Sequence, residues 1–349
     1  METRIAAGVT ANGEVVAREV ELAPLKPNEA RIRVHASLIS PGTEMNLVKM
    51  RRETPDPKAE FTVFGYANAG EIIKVSGDCR DFKPGMRVAC MGSGAANHAN
   101  YANVAVNMMV PLPDDVTYEQ AVYACLGATS LQAIHRTRVE LGEYGMVLGL
   151  GIVGNLATQL ARLSGARVLA WEAMASRLEI AARCKITDTV NFKENDPVKV
   201  AAEFAAPYGM DFAVIAFGGE ATAAFEQVKD CMKVSSDTHE MGRITLVGGC
   251  KINITGGAGC GNLDILSSAR TGPGYYDKVW EYGQDFPNAF IQFHTNRNLR
   301  EIIRLISEKR LLVDPMTTHK LPLAEVGKAA DLLIHTPDKA MGIVLEMSH

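Results

Sequence analysis

The chain lacks the features that mark secreted, membrane or nucleic-acid-binding proteins. Its seven cysteines, Cys79, Cys90, Cys125, Cys184, Cys231, Cys250 and Cys260, are odd in number, widely spaced and without a C-x-x-C pair. That pattern disfavours both a disulfide framework and a four-thiolate zinc site, and buried free thiols are the expectation. Charge of one sign is not concentrated either: 36 Lys and Arg against 40 Asp and Glu leave a net charge of −4. Neither a phosphate backbone nor an anionic membrane is expected as a partner. Long hydrophobic runs are missing, since no window approaches the roughly 18 apolar residues of a membrane span. The opening stretch METRIAAGVTANGEVV has no apolar core of signal-peptide length. A cytoplasmic location is the expectation. Aromatic residues are scarce, at 6%, and this makes their local clustering informative.

What is present is ordinary globular composition: 349 residues, 47% hydrophobic and 22% charged, enough for two domains with cores. The first 110 residues or so read as β-rich. Residues 30–35, 70–75 and 86–90 are short strands, and turn residues such as Pro84-Gly85 and Asp114-Asp115 separate the elements. From about residue 118 the pattern becomes strands alternating with helices. Strands are expected at 146–149, 167–171, 189–192, 212–216, 244–247 and 265–268, with helices over 155–164 and 176–184. Such alternation builds a parallel sheet with helices on both faces, an α/β fold.

The first of these strands runs into Gly149-Leu150-Gly151-Ile152-Val153-Gly154, which in turn opens a helix. That setting is what a dinucleotide-binding turn requires. The first glycine makes the turn, the second lets the pyrophosphate approach the backbone, and the third lets helix and strand pack closely. The helix N-terminus then offers unpaired N–H groups and a partial positive charge to phosphates. Glu172 ends the next strand, where a carboxylate can bind ribose hydroxyls and would repel a 2′-phosphate. NAD is therefore favoured over NADP. Further candidate cofactor contacts are Arg177 and the strand-end residues Ala216, Phe217, Val247, Gly248, Ser268 and Ala269. The turn alone does not choose the chemistry, because adenosyl-dependent methyltransferases also place an acid at that strand end.

The N-terminal stretches narrow the choice. The segment from Pro27 to Glu44, the segment Phe64-Gly65-Tyr66-Ala67-Asn68-Ala69-Gly70 running on to Val88, the stretch from Cys125 to Ala133, and the region around Pro315 resemble the medium-chain dehydrogenase/reductase, or alcohol dehydrogenase-like, family. The resemblance covers nearly the whole chain. It implies a GroES-like catalytic domain, residues 1–126 and 312–349, and a Rossmann dinucleotide-binding domain, residues 127–311. It also implies an NAD(P)-dependent enzyme acting on alcohols and a homodimer or homotetramer. The sequence departs from the family at its zinc ligands. Pro41 stands where the family's Cys-Gly-Thr-Asp motif has cysteine, and Tyr66 and Ala67 stand where Gly-His-Glu has histidine and glutamate. Only Cys125 matches a zinc-ligand position, and the family's four-cysteine structural lobe is missing. A catalytic zinc needs about three protein ligands, so no metal is expected. A rearranged set of Glu44, His98 and Cys125 is the alternative.

Without a metal, a side chain must take the hydroxyl proton during hydride transfer. Candidates are Tyr66 at the vacated histidine position, Thr43 at the family's relay hydroxyl, Glu44 beside it, and His98, which titrates in the useful range. The competing reading of each is structural: a packing aromatic, a satisfied loop histidine, a buried partner of an arginine. A second unusual feature is the aromatic run Tyr275, Tyr276, Trp280, Tyr282, Phe286, Phe290 and Phe293. Aromatic faces with interspersed polar groups suit a polyhydroxylated ligand, though subunit interfaces are enriched in the same residues. Asn46, Arg270, Tyr275, Tyr276 and Trp280 are the candidate substrate contacts. The motif Ser268-Ala-Arg-Thr-Gly-Pro-Gly-Tyr-Tyr-Asp277, with the later Asn296-Arg297-Asn298, resembles a branch of the family that includes sugar and glycoside dehydrogenases with eroded zinc motifs. This points to a secondary carbinol of a sugar, glycoside or cyclitol. A zinc-free enone or quinone reductase and a non-catalytic dinucleotide-binding redox sensor are the other readings.

Overall fold

The computed structural model describes residues 2–348. The chain forms two compact units, one of residues Met1–Ala128 and Thr271–His349 and the other of Thr129–Arg270. The first unit is built on a seven-stranded sheet in the order Thr317–Pro322, Gly342–Glu346, Glu29–Leu38, Ala67–Ser76, Arg87–Met91 and Met109–Pro111, with Tyr101–Ala105 also pairing Glu29–Leu38. Strand Glu29–Leu38 is central because Ile32, Val34, Ala36 and Leu38 alternate along one face and are all buried. A smaller sheet pairs Val15–Glu21 with Thr3–Val9 and the latter with Thr62–Val63. Helix Glu44–Glu53 follows the central strand after a short turn.

The second unit carries a sheet whose parallel strands run in the order Thr189–Asn191, Arg167–Glu172, Tyr144–Leu148, Phe212–Ile215, Glu240–Val247 and Asn262–Ser268. In chain order this is 3-2-1-4-5-6, the doubly wound arrangement expected from the alternating pattern. Its core includes Met146, Leu148, Trp171, Ala213, Ile215 and Phe225, all buried. Gly145 is required under this core, since a Cβ there would meet the Phe212 ring at 2.1 Å. The order reverses between Tyr144–Leu148 and Phe212–Ile215, and a crevice at such a switch point is the usual ligand site of open α/β sheets.

The helices and strands expected in this half are present, with small shifts at their ends. The helix after the glycine turn begins at Ile152 rather than 155, because Gly151 already serves as its N-cap. The second junction between units differs more. It falls at Arg270 and Thr271, not at residue 312. Residues 271–311 are held to the N-terminal sheet by buried polar contacts that no periodicity reveals. Asn107 donates to Trp280 O, Asn296 donates to Asn107 O and Met109 O, and the Thr271 hydroxyl reaches Met91 Sδ.

Candidate active site

In the second unit the ends of the parallel strands align. Leu148 is level with Ile215 and Trp171, Ile215 with Leu246, and Val247 with Ser268. The candidate residues Gly149, Glu172, Ala216, Phe217, Gly248 and Ala269 therefore share one edge of the sheet. Gly149 sits at φ +90° and donates its N–H to Trp171 O at 2.8 Å. A Cβ on Gly154 would lie 1.8 Å from Gly149 O, so the third glycine is dictated by packing. At Gly151 nothing lies within 4 Å of a built Cβ. No protein atom demands a glycine there, whereas a pyrophosphate at the helix N-terminus would. Ile152 is buried and Val153, whose carbonyl accepts from Ser130, is part-exposed in the first helical turn. Ser268 adds a buried hydroxyl with no partner among the described residues. These residues fit a dinucleotide.

Glu172 is more deeply engaged than expected of an acid waiting for ribose. It is 5% exposed, and its Oε2 accepts from Leu150 N at 2.9 Å while Oε1 accepts from Ala173 N at 2.7 Å and Met174 N at 3.1 Å. Arg177 Nη1 stands 3.5 Å from Oε2. The carboxylate thus holds the glycine turn in shape and keeps a negative charge at that strand end.

In the first unit the residues Thr43, Glu44, Tyr66 and His98 are drawn to one place. The turn after strand Glu29–Leu38 lets Glu44 N donate to Ser40 O at 3.0 Å while Glu44 Oε2 accepts from Ser40 N at 2.8 Å. Glu44 opens its helix, where an anion is favoured by the helix dipole. His98 Nε2 lies 3.1 Å from Glu44 Oε2, and Nδ1 lies 2.8 Å from the Ser37 hydroxyl. Glu44, His98 and Ser37 are all buried. Glu44 Oε1 has no hydrogen-bond partner among the described residues. The Tyr66 phenol is in hydrogen-bonding reach of the Ser40 and Thr43 hydroxyls. Burial, then the Glu44 charge, push that phenol well above the ordinary tyrosine range, so it stays a neutral donor.

Gly65 makes the meeting of these segments possible. It sits at φ +115°, and a Cβ there would lie 2.3 Å from His98 N. His98 N donates to Phe64 O at 3.1 Å, and the two rings meet edge to face with centroids 5.1 Å apart.

The family resemblance implies a zinc at this place, and the residues present do not fit one. Pro41 and Ala67 offer no donor atom. Cys125 alone keeps a thiol at a family ligand position, and a catalytic zinc needs about three protein ligands. Both His98 nitrogens are engaged, and no group of three His, Cys, Asp or Glu with metal-binding spacing occurs among the described residues.

The remaining candidates divide. Tyr275 is part-buried, its hydroxyl accepts from Ser93 N at 3.0 Å, and its phenol feels Cys125, the same thiol that acts on Tyr66. Tyr276 is exposed and stacks on Tyr275 with centroids 4.3 Å apart. Trp280 corrects the expectation of a substrate contact. It is 1% exposed and stacks on Phe286, with Gly274 so close that a Cβ would sit 2.4 Å from the indole. It is a core residue. Asn46 lies exposed two positions beyond Glu44, on another face of the helix from that buried side chain. Arg270, exposed and at φ +61°, is the last residue of the second unit. Ser37 and Ser40 were not foreseen. Each is a polar residue in the apolar run 36–41, and that was the available signal.

The alcohol dehydrogenase GroES-like domain model matches residues 26–114. An uncharacterized zinc-type alcohol dehydrogenase-like protein of Escherichia coli is 28% identical over 222 residues, 54% of this chain and 63% of that protein's length. Sorbitol dehydrogenase of Gallus gallus is 24% identical over 332 residues, 87% of this chain and 85% of its own. Among solved structures, an Escherichia coli oxidoreductase/dehydrogenase of unknown specificity superposes with a TM-score of 0.81 at 18% identity, covering 100% of both chains.

Proposed function

We propose that this chain, which carries an alcohol dehydrogenase GroES-like domain, is an NAD(P)-dependent medium-chain dehydrogenase that oxidises a secondary carbinol of a sugar, glycoside or cyclitol without a catalytic zinc. One observation carries the proposal. One of the positions that would hold a metal is taken by the Tyr66 phenol, and the buried Glu44–His98 pair sets the charge near it. These are the groups that proton transfer needs when no cation lowers the alcohol's pKa.

NAD, when bound, supplies the hydride chemistry. Gly151 and the N-terminus of helix Ile152–Leu163 would hold its pyrophosphate, with Gly149 and Gly154 shaping the turn. The negative charge of Glu172 supports NAD over NADP. In the other unit Tyr66 donates a hydrogen bond to the reacting oxygen, and the part-buried Tyr275 with the exposed Tyr276 supplies apolar faces for a polyhydroxylated ring. The likeness to sorbitol dehydrogenase supports a polyol. The test is NADH formation at 340 nm on sugars, glycosides, polyols and inositols, run beside NADPH oxidation with enones. Turnover of the enones alone would instead favour a zinc-free reductase, which Tyr66 as a neutral donor to a carbonyl would also serve. Silence in both assays with NADH still bound would support the redox sensor.

A further inference from the structure

We infer that Glu44 is the base that accepts the hydroxyl proton in this reaction, through its Oε1 atom, with His98 and Ser37 holding it in place. The inference rests on the dehydrogenase reading above. The Glu44 side chain is 5% exposed, and its two oxygens are treated very differently. Oε2 is saturated: it accepts from Ser40 N at 2.8 Å and faces His98 Nε2 at 3.1 Å. With His98 donating from Nε2, Nδ1 is free to accept from the Ser37 hydroxyl at 2.8 Å. Oε1 is buried and has no partner among the described residues. Leaving a charged acceptor atom desolvated and unpaired costs several kcal/mol, so a group absent from the free protein is expected to satisfy it.

The surroundings identify that group. The Glu44 charge acts on both the Tyr66 phenol and the Cys125 thiol, and Cys125 acts in turn on Tyr275. Tyr66 and Cys125, which burial and the Glu44 charge hold in their protonated forms, are thus neutral neighbours of that carboxylate. An anionic ligand would be repelled by Glu44, and no lysine or arginine among the described residues makes an ion pair with it. A neutral alcohol is complementary: its hydroxyl donates to Oε1 and accepts from Tyr66. On oxidation the carbinol O–H bond breaks and its proton forms a new O–H bond at Oε1. The C–H bond breaks with both electrons leaving as hydride to the oxidised nicotinamide, and the carbon becomes a carbonyl. His98 stays hydrogen-bonded to Oε2 throughout, which fixes the carboxyl plane.

The experiment compares the wild-type chain with Glu44→Gln, Glu44→Asp and His98→Gln, using sorbitol, myo-inositol and methyl glucoside as probes. NADH formation by the wild type tests the dehydrogenase reading. For the base, Glu44→Gln is expected to lose at least about 100-fold in kcat/KM and to lose the acid limb of the pH profile, with NADH affinity unchanged. Glu44→Asp should keep that limb and recover part of the rate. His98→Gln, a positioning change, should lower the rate and shift the limb without abolishing it. A Glu44→Gln protein that folds and keeps its rate within threefold, with the acid limb intact, overturns the assignment. If no probe is oxidised, the carboxyl infrared band that Glu44→Gln removes decides the question. It should shift when the probes are added, and a band unmoved by all three overturns Oε1 as the hydroxyl acceptor.

Discussion

Gly65 and His98 are in contact through their backbones: a Cβ on Gly65 would lie 2.3 Å from His98 N, and Gly65 is held at φ +115°. Neither the clash nor the dihedral can be relieved by a rotamer change. Gly65→Ala should therefore destabilise the protein by more than about 2 kcal/mol. It should also lower activity in the molecules that fold, because Tyr66 and His98 are displaced together. Urea unfolding beside steady-state kinetics checks both effects.

Gly151 and Gly154 separate binding from folding. Gly154→Ala puts a carbon 1.8 Å from Gly149 O and should cost several kcal/mol, about 3 or more, in thermal unfolding. Gly151→Ala meets nothing within 4 Å, so stability should change by less than about 1 kcal/mol while NADH affinity falls about tenfold or more. A Gly151→Ala protein that bound NADH normally in a fluorescence titration would contradict the placement of the pyrophosphate.

Glu172 shapes the turn and sets its charge. Glu172→Ala leaves the N–H groups of Leu150, Ala173 and Met174 without their acceptor. NADH affinity should fall about tenfold, and the preference for NADH over NADPH should narrow. Unchanged discrimination in parallel titrations would remove the selectivity role.

Tyr66 gives a pH-dependent signature. Its phenol is held well above the ordinary value of 10.0, chiefly by burial and next by the Glu44 charge. The folded state therefore favours the protonated form, a contribution fully present below pH 10 and lost as pH rises toward the folded value. Tyr66→Phe should narrow the stability gap between pH 8 and pH 11, while lowering kcat about 10- to 100-fold at neutral pH. Denaturant midpoints at the two pH values give the first readout.

Zinc in the purified protein should stay below about 0.2 per chain, since a catalytic site needs about three protein ligands. Chelators should leave NADH formation unchanged. Stoichiometric metal by elemental analysis would restore the alternative set of Glu44, His98 and Cys125.

The strand–turn–helix at Gly149–Gly154 was legible because a local pattern carries it: an apolar strand, glycines at fixed spacing and an amphipathic helix. Glu172 was found by its place at the next strand end, but its hydrogen bonds to the turn depend on how the two strands pair. Glu44 and His98 could be named one by one, yet their 3.1 Å contact joins residues 54 positions apart and depends on the close approach at Gly65. Trp280 was misread because aromatic clustering does not distinguish a ligand wall from a packed core. The boundary at Arg270 was missed because asparagine side chains bonded to distant carbonyls leave no periodic trace.

The central strand Glu29–Leu38 pairs with Gly342–Glu346, Val344 lying opposite Leu38. During synthesis the strand carrying Ser37 must therefore wait until Gly342–Glu346 has left the ribosome before it gains this neighbour. The segment Thr129–Arg270 has by then emerged complete and can form its own core. The first unit waits for its final strand, and the dinucleotide-binding unit does not. A nascent chain stalled near residue 300 should already retain NADH while its N-terminal sheet stays open to protease.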